Sequence, residues 1–378
     1  MTDPVSTSLP GMRVTVNEFS GALGDFGTII PLVVGISLVS GMNAGYILLF
    51  FGAWFILTGL YYRLPVPIEP MKAIAVAAIA TGLSTGQVLA AGLFLGFLFL
   101  FLGTGNWMER IQRRVPPSVI RGIQLGLALL LFRTAGEYMI GDPVFFAVGI
   151  GIIAAFMVVS RYRAVPDLSA LVVLGLGFGI GFFTSGIPPV QLLPLPGLVV
   201  PVPSEIYYAL TVLVLPQAIL TITNAILATS FLITDLFSQE VKPRTLSRTI
   251  GLMNLVSVPF GGFPMCHGAG GLAGQYRYGA RSGAANIIAG VIFLVIAVFF
   301  GSPGFLGIIS GGFFGALLVF VGIELGEVSL KTDSWLVTGA IGVLSLLSSM
   351  TVAFVVGMVI AYGVPAAKKQ LLSNRGTR

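Results

Sequence analysis

Residues 264–281 read PMCHGAGGLAGQYRYGAR and hold the chain's single His, His267, and its single Cys, Cys266, among five glycines and one proline. Imidazole and thiol side by side can serve as base, nucleophile or metal ligand. The enzymatic use of the pair would be a triad with Asp25. However, Asp25 lies in the other half of the chain, and no oxyanion-hole or metal-ligand spacing accompanies it. One Cys excludes an internal disulfide and a Cys-cluster metal site. The GAGG run is not followed by the Lys-Ser/Thr of a phosphate-binding loop. No enzyme activity, cofactor or metal is therefore expected. Cys266 reads as a small side chain, and His267 as either a ligand-facing group or a hydrogen-bonded structural residue.

The other chemistry-bearing residues stand inside apolar runs: Asp25 in GALGDFGTIIPL, and Glu69 and Lys72 in VPIEPMKAIAV. An ionisable group within a membrane span is costly to bury and by default marks a functional site. Lys72 has a plainer alternative, a structural pair with Glu69 or Asp25. Gly21, Asp25 and Thr28 stand at i, i+4, i+7, as do Gln217, Thr221 and Asn224, which places each trio on one helical face. Arg277 and Arg281 read as membrane-side anchors, and Tyr276 and Tyr278 as interface aromatics.

The elements that must position these residues are transmembrane helices. Of 378 residues 56% are hydrophobic and 9% charged, with mean hydropathy +0.99; soluble domains carry roughly 25% charged residues. Apolar residues come in unbroken runs, such as VLAAGLFLGFLFLFLG at 88–103, rather than in the alternation of a barrel strand. The opening MTDPVSTSLPG lacks a basic region followed by an apolar core, so no cleavable signal peptide is expected. Runs and breaks give fourteen spans, near 19–40, 44–61, 68–82, 87–105, 117–135, 143–160, 168–185, 205–233, 246–260, 266–280, 284–301, 304–323, 334–349 and 350–366.

Eighteen of the twenty Lys and Arg residues fall on the side of the N-terminus in this count, Arg133 on the other and Lys72 within a span. By the positive-inside rule both termini are cytoplasmic, and the net charge of +6 reflects topology rather than a nucleic-acid partner. A Pro-rich linker, 186–204, separates a first repeat (1–185) from a second (205–366), followed by a tail at 367–378. Seven spans per half make two inverted repeats, the architecture of many secondary transporters. VPIEPMKAIAV at 66–76 has an echo in VPFGGFPMCHGAG at 258–270, each at the third span of its half. The fold class is an all-α polytopic membrane protein with spans 3 and 10 broken.

A break of this kind has a use. Pro and clustered Gly make a helix expensive to maintain, and non-helical backbone at membrane depth is tolerated only inside protein or around a cavity. An extended piece followed by a half-helix leaves free N–H groups and partial positive charge at the helix start, which suits an anion. The expected site uses the backbone amides of Met71, Lys72, Cys266, His267 and Gly268, with the Lys72 charge. Asp25 and Thr28 are expected against the span 3 half-helix, and Gln217, Thr221 and Asn224 opposite.

The stretches NEFSGALGDFGTIIPL (17–32), PIEPMKAIAVAAI (67–79) and PMCHGAGGLAGQYRYGARSG (264–283) resemble the molybdate transporter family, which is related to the sulfate permeases. LPQAILTITNAILATS (215–230) fits more loosely. The resemblance implies a core of spans 1–4 (19–105) and 8–11 (205–301), and a gate of spans 5–7 (117–185) and 12–14 (304–366). It implies secondary active transport of a tetrahedral oxyanion, molybdate first and sulfate second, across the plasma membrane. Sulfate permeases usually carry a regulatory domain after the last span, whereas about a dozen residues follow Pro365, which favours molybdate. Glu69 departs from the family's PVQPMK pattern. A carboxylate beside an anion site repels the substrate unless it is protonated or paired with Lys72, which makes Glu69 a candidate proton carrier. The expected partners are molybdate or sulfate and the lipid bilayer; a coupling proton and a homodimer are left open.

Other functions use the same architecture. A nucleobase or carboxylate permease often has paired acids on spans 8 and 10, whereas span 8 here offers Gln217 and Asn224 and span 10 has no acid. An anion channel would share fold and site. The topology is directly testable: cysteines placed near Arg113 and Arg244 should react only with reagents supplied from the cytoplasm, and one near Pro194 only from outside. Labelling of all three from one side would refute inverted halves.

Overall fold

A computed structural model describes residues 14–105, 114–162, 168–186, 192–300 and 308–375, with Met12, Trp107 and Arg110. The first eleven residues, the anchors Arg13, Arg113, Arg163 and Arg378, and the linker residues 187–191 lie outside them. Fourteen segments follow in order. Span 1 is Val16–Ala22 and Phe26–Ser40, joined by a tight turn of 3₁₀ helix at Leu23–Asp25. Spans 2 to 4 are Ala44–Tyr62, the strand β1 at Glu69–Pro70 with the half-helix Lys72–Thr81, and Thr85–Leu102. Spans 5 to 7 are Pro117–Gly141, Pro143–Tyr162 and Ser169–Ser185. Span 8 is Pro203–Phe237, widened to π-helix at Ala209–Leu213 and Thr221–Ala228. Spans 9 to 11 are Pro243–Ser257, the strand β2 at Met265–Cys266 with the half-helix Ala269–Arg277, and Gly283–Phe300. Spans 12 to 14 are Gly311–Ser329, Trp335–Leu347 and Met350–Arg375.

Local sequence explains the ends. Pro117, Pro203 and Pro243 open their helices at the first turn, where no N–H is needed. Asn43 caps span 2 by accepting from the Gly45 amide at 2.8 Å, and Ser84 and Gln87 form a reciprocal capping box on span 4. Gly41 ends span 1 in the left-handed region, φ +67°. Some boundaries differ from expectation. Span 12 ends at Ser329 rather than 323, and the segment expected as a tail continues the last helix to Arg375.

The packing repeats with an inverted two-fold. Span 2 packs on span 11 and span 9 on span 4; span 5 packs on span 13 and span 12 on span 6; span 5 meets span 14 and span 12 meets span 7. Each of these pairs becomes the other when every span is replaced by its counterpart seven places along. In the span 2–span 11 contact, a Cβ on Gly52 would stand 2.8 Å from the Gly290 carbonyl, so only small residues allow the approach. Phe293 of span 11 stacks on Phe26 (4.4 Å) and meets Phe55 (5.5 Å), which fixes span 1 beside spans 2 and 11.

Spans 3 and 10 are broken as the Pro and Gly content requires, and their extended pieces satisfy each other. β1 and β2 pair antiparallel, Glu69 opposite Cys266 and Pro70 opposite Met265, and the Met71 amide donates to the Pro264 carbonyl at 2.9 Å. Asn254 of span 9 accepts from the Met265 amide and donates to its carbonyl, at 2.9 and 2.7 Å. Asn286 of span 11 donates to the Val66 carbonyl at 2.5 Å. His267 binds the Pro67 carbonyl through Nδ1 (2.9 Å) and Thr249 through Nε2 (2.8 Å). A carbonyl can only accept, so Nδ1 carries the proton and Nε2 receives the Thr249 hydroxyl.

The half-helices begin at Lys72 and Ala269, each three residues after a member of the pair Glu69–Cys266. The pseudo-two-fold therefore passes through that pair. The Pro-Met echo is out of structural register, because the helix starts one residue after Met71 but four after Met265.

Span 3's free donors are taken by Gln217, whose Oε1 accepts from Ala73 N at 2.9 Å and Ile74 N at 3.4 Å while Nε2 donates to Thr221 at 2.9 Å. Leaving a buried donor unmet costs ~1–3 kcal/mol. Gln217→Leu should lower the thermal midpoint in detergent, with a loss on the order of 2–5 kcal/mol over both donors, and Gln217→Glu should recover much of it. A Leu variant as stable as the parent would remove the capping role.

Candidate functional site

A cavity of about 920 Å³ lies where spans 1, 3, 8 and 10 meet, closed on its far side by spans 5, 7 and 12. All four of these spans depart from regular helix at the cavity wall, span 10 where its half-helix begins at Ala269. The 3₁₀ turn Leu23–Asp25 turns Asp25 inward. The half-helix of span 3 begins at Lys72. The π-helical stretch of span 8 presents Thr221 and Asn224, a common use of such widened turns. Span 1 reaches span 10 through close glycine contact: a Cβ on Gly24 would stand 2.8 Å from the Gly274 carbonyl.

The charges are arranged by depth. Asp25 and Glu69 are buried, Lys72 keeps 21% of its side chain exposed, and Arg277, Glu327 and Lys331 are exposed along the same cavity. The Glu69 carboxylate spans two elements, Oε1 accepting from Gly271 N at 2.8 Å and Oε2 pairing with Lys72 Nζ at 2.9 Å. Asp25 Oδ2 is buried with no hydrogen-bond partner among the described residues. A Cβ on Gly271 would run into both Asp25 Oδ2 and Glu69 Oε1, so the missing side chain is what admits two carboxylates to one place. Thr28 donates to Glu324 Oε2 of span 12 at 2.9 Å.

The cavity gathers Asp25, Thr28, Glu69, Lys72, Gln217, Thr221, Asn224 and Cys266 of the residues expected from sequence. Met71, His267 and Gly268 are not among its lining. Met71's amide is spent on Pro264, and His267 is fully buried between the span 3 strand and span 9, with Tyr62 edge-on at 5.8 Å. Gly268 lies under the Glu69 carboxylate, where any Cβ would collide with it. Asp25 faces the half-helix of span 10 and also stands near Lys72 at the start of span 3, while the residue that caps that start is Gln217.

Sequence reasoning missed Glu324, Arg121 and Gln124, all in the lining. Glu324 fell one residue beyond the expected end of span 12. A helical reading continued through IELGEVSLK would have put Glu324, Glu327 and Lys331 on one face. Arg277, read as an anchor, and Tyr278, read as an interface aromatic, also line the cavity, whereas Arg281 stacks on Tyr276 at 3.7 Å.

The site can hold an anion only under a condition. Lys72 and the Gly271 amide are suitable donors, but Asp25, Glu69 and Glu324 would oppose an anion when ionised. Two unit charges 4 Å apart interact by roughly 4 kcal/mol at an effective dielectric of about 20. One ionised carboxylate facing a dianion is thus enough to decide whether it binds.

A family model described as "Molybdate transporter of MFS superfamily" matches residues 17–131 and 209–325, one stretch in each half. The chain is 32% identical to Molybdate transporter 2 of Arabidopsis thaliana, covering 91% of this chain and 86% of that one. It is 26% identical to Molybdate transporter 1 of Chlamydomonas reinhardtii, over 92% and 91%. Among solved structures, the transmembrane domain of the cyanobacterial bicarbonate transporter BicA superposes with a TM-score of 0.64 at 17% identity, over 93% of this chain and 99% of that one. SLC26A9 superposes with a TM-score of 0.69 at 14% identity, over 93% and 65%. The fold is shared with these anion-transporter structures, and the chain belongs to the molybdate transporter family.

Proposed function

We propose that the chain is a secondary active transporter of a tetrahedral oxyanion, molybdate first and sulfate second, bound in the cavity between spans 1, 3, 8 and 10. The observation that carries this reading is the convergence on one water-accessible cavity of broken spans that bring Lys72, the Gly271 amide and the neutral donors Thr221 and Asn224 together. The relatives' names, molybdate transporters, support the choice of substrate. Spans 1–4 and 8–11 form the moving core and spans 5–7 and 12–14 the gate. Exposed Arg277 and Lys331 line the cavity, so with the positive-inside orientation this is a cytoplasm-facing state in the plasma membrane, both termini cytoplasmic. The sequence has no phosphate-binding loop, so energy comes from a gradient or from a partner.

In proteoliposomes the chain should take up molybdate saturably, with tungstate competing strongly and sulfate less. A hydrogen bond to a charged group contributes ~1.5–3 kcal/mol, so Lys72→Gln should raise the half-saturating concentration roughly 10- to 100-fold. Uptake of sulfate with no competition by molybdate would reverse the substrate order. Equal uptake by Lys72→Gln would remove Lys72 from the site.

A further inference from the structure

We propose that Glu69 is a tethered stand-in for the substrate: in the empty protein its carboxylate occupies the oxyanion position at the start of the span 10 half-helix, and the substrate binds there by displacing it. This rests on the reading of the cavity as an oxyanion site. The two carboxylate oxygens already make the contacts that a bound oxyanion needs, one with the Gly271 amide at 2.8 Å and one with Lys72 at 2.9 Å. The half-helix runs Ala269–Arg277, nine residues, long enough to present a partial positive charge. A second observation marks the same spot as a place for a polar ligand: Asp25, 4% exposed, has its Oδ2 directed at Gly271 without a partner among the described residues.

The side chain can leave without unfolding its support. Glu69's backbone is held by the pairing with Cys266, by Met71 N to Pro264 and, on the other strand, by Asn254. None of these bonds uses the carboxylate, which already lines the cavity into which it would swing. The two half-helix starts differ in a telling way. Span 3 is capped by a neutral amide, Gln217, which is tied in turn to Thr221. Span 10 is capped by a charged group that competes with an anion for the same donors.

Displacement carries a proton with it. Around Glu69 stand Asp25 from span 1, Lys72 from its own half-helix, Glu324 from span 12, and Cys266 and His267 from β2. Once the dianion has taken Lys72 and the Gly271 amide, an ionised Glu69 has the dianion, Asp25 and Glu324 around it, and the remaining cations of the cavity wall are Arg121, Arg277 and Lys331. Glu69 is accommodated when its carboxylate binds a proton from solvent, which adds one positive charge per anion bound. Substrate and proton therefore enter together by linkage, and binding tightens as pH falls.

The test is calorimetric titration of the purified full chain with molybdate, in buffers of different ionisation enthalpy, to count protons taken up per anion. The parent should take up about one proton at neutral pH. Glu69→Gln should bind at least about tenfold tighter there, a factor of 1.4 kcal/mol, with no proton uptake. Should the Gln variant not fold, Glu69→Asp, whose shorter carboxylate falls away from the Gly271 amide, should likewise bind tighter. Binding without proton uptake by the parent, together with weaker or unchanged binding by the variant, overturns the stand-in role and leaves a fixed Glu69–Lys72 pair. Absence of molybdate, tungstate and sulfate binding by every protein overturns the oxyanion reading itself.

Discussion

Two residue pairs of antiparallel ladder, Glu69 with Cys266 and Pro70 with Met265, keep extended backbone at membrane depth in this fold. Lipid offers no hydrogen bonds, so such backbone survives only if protein meets every donor and acceptor. The ladder meets part of the requirement, and Asn254, Asn286 and His267 meet the carbonyls and amides on either side. Everything at the cavity follows from this pairing. It sets the two half-helix starts on opposite sides of one pseudo-two-fold and brings their donors together from opposite halves of the chain.

The symmetry is broken where function needs it broken. Glu69 and Cys266 are symmetry counterparts as well as partners, yet one carries a carboxylate and the other a thiol. The half-helix of span 3 receives Gln217, and that of span 10 receives Glu69. A pair of identical neutral caps would leave no charge to be moved by an arriving anion. Under the stand-in proposal, one acidic cap makes anion and carboxylate competitors for Lys72 and the Gly271 amide, and that competition would couple binding to a proton.

Much of the architecture was legible in the sequence, because it is written in properties that add along the chain. Span count and inversion follow from hydropathy and from the placement of Lys and Arg, and the breaks follow from Pro70 in span 3 and from Pro264 and the glycines after it in span 10. Asp25, Lys72, Gln217, Thr221 and Asn224 stood out as polar groups inside apolar runs, and all reach the cavity. What was not legible depends on which donors are already spent. The amide of Met71 looked available and the ring of His267 was open to a ligand-facing or a structural role, yet partners far along the chain, Pro264 and Pro67, and Thr249 use them. Asn254 and Asn286 gave no signal because their partner is backbone of another span. Glu324 was hidden by a span boundary drawn one residue short of it.

The central claim is positional, that an oxyanion binds where the broken spans converge. The most direct test is anomalous X-ray diffraction, at the absorption edge of the metal, from crystals grown with molybdate or tungstate. One strong peak is expected beside Lys72 and the Gly271 amide, with the Glu69 carboxylate turned away from both. A peak elsewhere, or one in the cavity with the Glu69–Gly271 and Glu69–Lys72 contacts intact, would contradict it.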